Sequence, residues 1–255
     1  MYMRFVQIKV QPDKMAAFEE FYHRRVAAAL RDTGGCLFAC LMNSNEHPSE
    51  CVSMSLWRDP KDVEQYETGG LYTQLLEESE PFFWNSTEWR VKLSDDMRLE
   101  YVPVKEEPVA EAFSIATDSD EGRGIESASS NMYLRILSGQ VKPGRFDDLS
   151  EAYTKLIPEI LAVDGCRYAS LIRGNDDENE VLSVTLWDSK AQADEYHNHG
   201  RFREFASRIQ PFMSSVLQWT MTLSDSARAR EAISTDAIIE GYQVVMGDSF
   251  NRAGP

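Results

Sequence analysis

Ser55-Leu56-Trp57 comes back 130 residues later as Thr185-Leu186-Trp187, and this recurrence decides the fold. The same offset carries Gly35-Cys36 onto Gly165-Cys166, Tyr66 onto Tyr196, and Pro81-Phe82 onto Pro211-Phe212. It also carries Trp89 onto Trp219 and Leu93-Ser94-Asp95 onto Leu223-Ser224-Asp225. Towards the N-terminus the offset becomes 131, with Val10-Gln11-Pro12 matching Val141-Lys142-Pro143, so one residue is gained or lost inside the helix that follows. Constant spacing across so many large residues marks an internal duplication.

Each copy implies the same elements. A first strand runs over Met3 to Val10 and again over Tyr133 to Val141. Pro12 or Pro143 then opens a helix, since proline suits a first turn. Met15, Phe18, Tyr22, Val26 and Leu30 share one helical face, as do Phe146, Leu149, Tyr153, Ile157 and Ile160. Pro158 is expected to kink the second of these helices. Gly34-Gly35 and Gly165 end them. Two hairpin strands follow, Cys36 to Met42 with Cys51 to Trp57, then Cys166 to Ile172 with Val181 to Trp187. A second helix begins near Asp59-Pro60 or Asp188-Ser189 and breaks at Gly69-Gly70 or His199-Gly200. A fourth strand alternates through Trp89, Val91 and Leu93, or Trp219, Met221 and Leu223. Further extended segments, Arg98 to Val104 and Ile238 to Val245, are placed to extend the other copy's sheet. Ala227 to Ile233 reads as a turn or two of helix.

The order βαββαβ gives an α+β fold: two ferredoxin-like repeats, each an antiparallel sheet with both helices on one face. The bare apolar sheet faces are expected to pack face to face within the one chain. The domains are then 1–104 and 132–246. Residues 105–131, containing Lys105-Glu106-Glu107-Pro108 and Asp118-Ser119-Asp120-Glu121-Gly122, have the composition of a flexible acidic linker.

With 42% hydrophobic residues the chain can fill a core, and no apolar run is long enough for a membrane span. The N-terminus lacks the apolar run of a signal peptide, so a cytoplasmic location is expected. A net charge of −16 repels phosphate backbones, which speaks against nucleic acid as a partner. The four cysteines form no CxxC pair and read as buried reduced thiols. No nucleotide loop, nucleophile motif or paired carboxylates appear.

The order of elements, the Pro-opened first helix, Gly-Cys before the second strand, and the strand-three tryptophan before an Asp and a helix resemble the antibiotic biosynthesis monooxygenase family. The resemblance covers both copies and implies a dimeric α+β barrel, here within one chain, with one pocket per copy. Relatives of this kind include cofactor-free oxygenases of phenols and quinols, haem-degrading enzymes and proteins without known activity. The resemblance places Trp57 and Trp187 at substrate. Where oxygenase members carry an asparagine, Ser53 and Ser183 stand; the frequent glutamate is Ser55 or Thr185. The family histidine after the tryptophan is His197 in the second copy and Glu67 in the first.

The resulting expectation is a cofactor-independent monooxygenase acting on a small, flat quinol or phenol held in the barrel interior. His197 or His199 would take the phenolic proton, Tyr196 and Arg135 would hold the oxyanion, and Trp187 would stack on the ring, with Ser183 beside it. Trp57, Tyr66 and Arg4 are the first-copy equivalents. Arg4 shares a face with Val6 and Ile8, which points it inward. Set against this, both histidines read equally as surface residues near a helix break, and the tryptophans as packing. His197-x-His199 lacks a third metal ligand, and the second helices lack an axial histidine for haem. No metal and no cofactor are therefore expected. The alternatives are a non-catalytic ligand-binding or stress-associated barrel and, further off, a haem protein. The sequence also allows a homodimer of the two-repeat chain.

Overall fold

A computed structural model describes residues 1–45, 47–93, 99–105, 109–118, 124–175, 177–198, 200–214 and 238–250. In the first copy, β1 (Tyr2–Lys9) leads into a 3-10 turn at Pro12–Lys14 and the helix α1 (Met15–Phe21). This helix continues through a π-helical stretch, Tyr22–Ala27, into α2 (Ala28–Arg31). The hairpin β2 (Cys36–Ser44) and β3 (Glu50–Trp57) follows, then α3 (Pro60–Thr68) and α4 (Leu71–Ser79). Next come β4 (Asn85–Leu93), β5 (Leu99–Lys105) and β6 (Val109–Asp118). The second copy repeats the plan with β7 (Tyr133–Gln140), α5 (Phe146–Leu161), β8 (Cys166–Gly174), β9 (Glu180–Trp187), α6 (Lys190–Asn198) and α7 (Arg201–Ile209). The last strand described is β10 (Ile238–Ser249).

Eight strands close into a barrel in the order β1-β3-β2-β10-β7-β9-β8-β6, and β6 pairs back onto β1. Every neighbouring pair is antiparallel. Each copy supplies three strands, and the two seams are sewn by β6, between β1 and β8, and by β10, between β2 and β7. The duplication is thus an intramolecular α+β barrel whose ring has no free edge.

Several expectations need correction. The stretch expected as a flexible linker contains β6, whose backbone is paired on both sides, so its strand character comes from its neighbours more than from its own propensity. A short 3-10 turn, Ile125–Ser127, then places Ile125 and Ala128 in the core. The fourth strand does not join its own sheet. The chain touches β1 through a single bridge, Val10 with Phe83, and then leaves to form the separate hairpin β4–β5. The extended segment Arg98 to Val104 therefore pairs with β4 rather than crossing to the second copy. A matching bridge joins Val141 to Met213; Trp219, Met221, Leu223 and Ala227 to Ile233 lie outside the described residues. β10 does cross between the copies, and it runs three residues past the expected boundary at 246, with Phe250 buried after it.

Alternation along the strands sorts side chains into two cores. Met3, Phe5, Phe38, Cys40, Met42, Met54 and Leu56 point into the barrel and meet Leu134, Ile136, Tyr168, Ile172, Val184 and Leu186 from the second copy. Ile125 and Ala128 belong to the same cluster. The other strand faces are roofed by the helices, one roof per copy. The helix breaks fall where expected: Gly70 and Gly200 cap α4 and α7 with φ of 87° and 82°, a left-handed conformation that favours glycine. Pro158 sits in the last turn of α5, which runs on unbroken to Leu161. Among the described residues no helix is long and apolar enough to cross a membrane.

Candidate functional site

The barrel interior is not the site. Met3, Phe5, Phe38, Met42, Met54 and Tyr168 are all less than 2% exposed, and they fill it from both ends of the sequence. The space that matters lies on the outer face of each sheet, under its helices. The reason is in β1 and β7. Arg4 does share its face with Val6 and Ile8, but that face looks towards the helices, while Met3 and Phe5 look inward. The corrected position keeps the arginines buried, Arg4 at 3% exposure and Arg135 at 5%.

The two cavities are built from equivalent residues. The first is lined by Arg4, Tyr22, Ser53, Ser55, Tyr66 and Tyr72, with Val26, Leu75 and Leu76 among its apolar walls. The second is lined by Arg135, Tyr153, Ser183, Thr185, Tyr196 and Phe202, with Phe205, Ala206 and Ile209. Counted out to their mouths they hold about 480 and about 350 Å³ of empty space. Both are narrow slots with room for only a few waters as they stand, so an aromatic ring enters only if the helical roof shifts. The break at Gly70 or Gly200 lies in that roof.

The tryptophans are the floor rather than the lining. Trp57 and Trp187 are fully buried, and each indole nitrogen donates to the hydroxyl two residues back, Ser55 at 2.8 Å and Thr185 at 2.9 Å. Ser55 and Thr185 are thereby committed to the indoles. Trp57 packs at a tilt against Tyr66 with centroids 5.2 Å apart, and Trp187 against Tyr196 at 5.1 Å. The rings beyond carry the arginines: the guanidinium of Arg4 lies 5.6 Å from Tyr66 and 4.4 Å from Tyr72, and that of Arg135 lies 5.6 Å from Tyr196 and 4.5 Å from Phe202. Cation–π contacts of this kind favour a charge in an otherwise apolar setting.

Ser53 and Ser183 are held by tyrosines from the first helix of each copy. Tyr22 donates to the Cys40 carbonyl at 3.2 Å and hydrogen-bonds Ser53 at 2.8 Å; Tyr153 makes a short hydrogen bond to Ser183. Burial keeps both phenols neutral, raising Tyr22 well above its usual range and Tyr153 to about 12, with the serine hydroxyl opposing in each case. Tyr66 and Tyr196 are pushed up by burial as well, each opposed in part by its arginine. Tyr196 can donate a hydrogen bond near neutral pH but cannot act as a base there.

Besides changes in the walls such as Tyr72 to Phe202 and Leu75 to Phe205, the copies differ in a charge. In the first copy, Arg4 Nε donates to Glu67 at 2.8 Å. In the second, His197 replaces Glu67, and among the described residues no carboxylate hydrogen-bonds to Arg135. Its Nη2 is buried without a partner, and burial lowers its pKa. Arg4 Nη2 is unpartnered too, so the copies differ in charge compensation rather than in donor supply. His197 lies at the rim. It is exposed, outside the cavity lining, and packs against Phe202 with centroids 5.0 Å apart. His199 lies outside the described residues. Sequence reasoning passed over Tyr22, Tyr153, Tyr72 and Phe202 as site residues, although Tyr22 and Tyr153 already matched at offset 131 and were the polar members of otherwise apolar helix faces.

Residues 1–78 and 132–208 match the profile of the antibiotic biosynthesis monooxygenase family. Comparison with curated protein sequences gives no match. Among solved structures, the chain is similar to a candidate monooxygenase from Lactobacillus acidophilus at 8% identity and TM-score 0.65, covering 97% of this chain and 95% of the other. A candidate monooxygenase from Fusobacterium nucleatum aligns at 9% identity and TM-score 0.63, covering 97% and 94%. An anthrone oxidase-like protein aligns at 13% and 0.59, covering 97% and 92%. At such identities these neighbours share the fold alone. The profile matches both repeats and more than half of the sequence, so the chain belongs to the antibiotic biosynthesis monooxygenase family.

Proposed function

We propose that the protein is a cofactor-independent monooxygenase that oxidises a small phenol or quinol in the cavity between the second sheet and its helices. The observation that carries this reading is the buried Arg135 guanidinium, set among Tyr196 and Phe202 with one nitrogen unpartnered, on the wall of a cavity lined by aromatic rings. Cofactor-free oxygenation needs an electron-rich anion, because the substrate itself must reduce dioxygen. A phenol with a free ring C–H plus one O₂ gives a quinone plus one water. One oxygen atom stays on carbon, the other leaves as water, and all four electrons come from the ring. A desolvated guanidinium beside the phenol oxygen favours the phenolate and so lowers the barrier to ionisation. The neutral Tyr196 hydroxyl is a second donor on the same wall. In this reading His197, exposed at the rim, passes the phenolic proton to solvent rather than taking it inside.

Oxygen consumption over a panel of hydroquinones and naphthols tests the reading. Uptake is expected with the parent protein and with Arg4→Gln, and its loss with Arg135→Gln. No uptake above blank across the panel would overturn it.

A further inference from the structure

The two cavities are copies of one plan, so a charge that differs between them reports what each is built to hold. In the first, a carboxylate of the protein itself sits on the arginine: Glu67 Oε1 accepts from Arg4 Nε at 2.8 Å at the end of α3. In the second, the equivalent arginine is 5% exposed and lies on Tyr196 and Phe202, and the position of Glu67 is taken by His197. The acid on the same helix, Asp194, attracts Arg135 through space without an ion pair to it, and instead pairs with Lys190 at 2.6 Å. A cation taken out of water without a counter-charge is costly, and it is stabilised by whatever anion can reach it. We infer that Glu67 is an internal stand-in for a ligand's negative group: the first cavity is charge-satisfied by the protein, and the second binds one aromatic monoanion through Arg135.

The chemistry of that ligand follows from the walls. Arg135 requires one full negative charge, carboxylate or phenolate, and Tyr196, Phe202 and Phe205 require a flat apolar body next to it. The slot admits an aromatic ring only as its roof shifts, and a single ring needs the smallest shift. The inference uses the cavity of the proposed monooxygenase and rests on it for the location, not for the chemistry of oxidation. It adds a stoichiometry: one anion per chain, despite two cavities.

Calorimetric titration of the full-length protein tests this with benzoate, 4-nitrophenolate and the neutral benzamide. One site per chain is expected for the anions, with benzamide at least tenfold weaker. The benzoate and 4-nitrophenolate arms tell a carboxylate receptor from a phenolate receptor. His197→Glu, an exposed substitution that installs the first copy's acid, is expected to weaken anion binding at least tenfold without altering the fold. Glu67→His is expected to raise the stoichiometry from one to two. Arg135→Gln should abolish binding, with circular dichroism confirming that it folds. Two sites in the parent, equal affinity for benzamide and benzoate, or unchanged binding in His197→Glu would overturn the inference. Oxygen uptake is scored separately: anion binding without uptake sinks only the oxygenase, and uptake that survives His197→Glu sinks only the anion rule.

Discussion

The first and second cavities have the same floor, the same serine–tyrosine clasp and the same stacked arginine, yet one is internally neutralised and the other is not. The shared parts are thus those that hold the barrel to its helices, and the unshared parts include the outer wall, Tyr72 against Phe202 and Leu75 against Phe205, and one charge at the mouth. In a duplicated protein, what both copies keep need not be what acts. Trp57 and Trp187 are a case in point, because matched, fully buried, hydrogen-bonded indoles explain themselves as structure.

The strongest way to break this comparison is to remove the floors. Trp57→Ala and Trp187→Ala are each expected to cost about 3–5 kcal/mol in urea unfolding, and to agree within about 1 kcal/mol. Because β6 and β10 sew both seams, each variant should still unfold in one transition. A much larger loss in one copy would show that the floors do different jobs. Next in size is the counter-charge. Glu67→Gln leaves Arg4 buried without an anion and should cost about 1–2 kcal/mol, below the range for a fully buried pair because Glu67 is 40% exposed and screened by water. His197→Gln, at the matching position, should stay within about 0.5 kcal/mol, and a larger loss would mean that the imidazole, not a ligand, compensates Arg135.

What the sequence made legible depended on the kind of signal. Offsets between large residues exposed the repeat, the helix faces, and the breaks at Gly70 and Gly200. Alternation placed Arg4 with Val6 and Ile8 correctly, but period two cannot say which face is inside when both faces are buried. That ambiguity sent Arg4, Arg135 and the substrate into a barrel whose interior is in fact packed solid. β6 was missed for a related reason. Val109–Asp118 carries the alanine- and glutamate-bearing pattern of a weak strand, and its stability comes from β1 and β8, which lie far away in sequence. The difference between Glu67 and His197 was visible in the sequence; that it decides the charge beside a buried arginine was not, because the pairing spans 63 residues.

Alkaline unfolding sharpens the comparison from another side. Burial raises the Cys36 and Cys166 thiols to about 12, and Cys40 and Cys51 higher still. Unfolded, thiols titrate near 8.5 to 9, so the native state refuses protons' departure that the unfolded chain permits. Stability is therefore intact below about pH 8.5. It falls as pH rises towards the folded values, by up to about 1.4 kcal/mol per pH unit for each thiol. Three of the four thiols belong to the first copy, and Val181 stands where Cys51 does. Cys51→Val is expected to change stability at pH 7 by under about 1 kcal/mol and to make the loss above pH 9 shallower. An unchanged alkaline slope would show that the first copy's thiols are not what the rising pH attacks.

A last comparison concerns a place where the backbones of the copies differ. Tyr22 and Leu30 are eight residues apart and line the first cavity; their equivalents Tyr153 and Ile160 are seven apart and line the second. The extra residue is absorbed as the π-helical stretch Tyr22–Ala27, which lets the tyrosine and the leucine keep their posts although the chain between them is longer. This is the physical content of the change in offset from 131 to 130. π-bulges gather at functional sites, so the stretch competes with Glu67 as the cause of the difference between the cavities. Deleting the exposed His23 separates the two. If the bulge merely stores an insertion, the deletion yields a plain α-helix, keeps the Tyr22–Ser53 hydrogen bond, and shifts stability by about 1 kcal/mol or less. Anion stoichiometry would stay at one, because Glu67 still covers Arg4. A rise to two on deleting His23 alone, with Glu67 in place, would move the cause from the charge at the mouth to the shape of the helix.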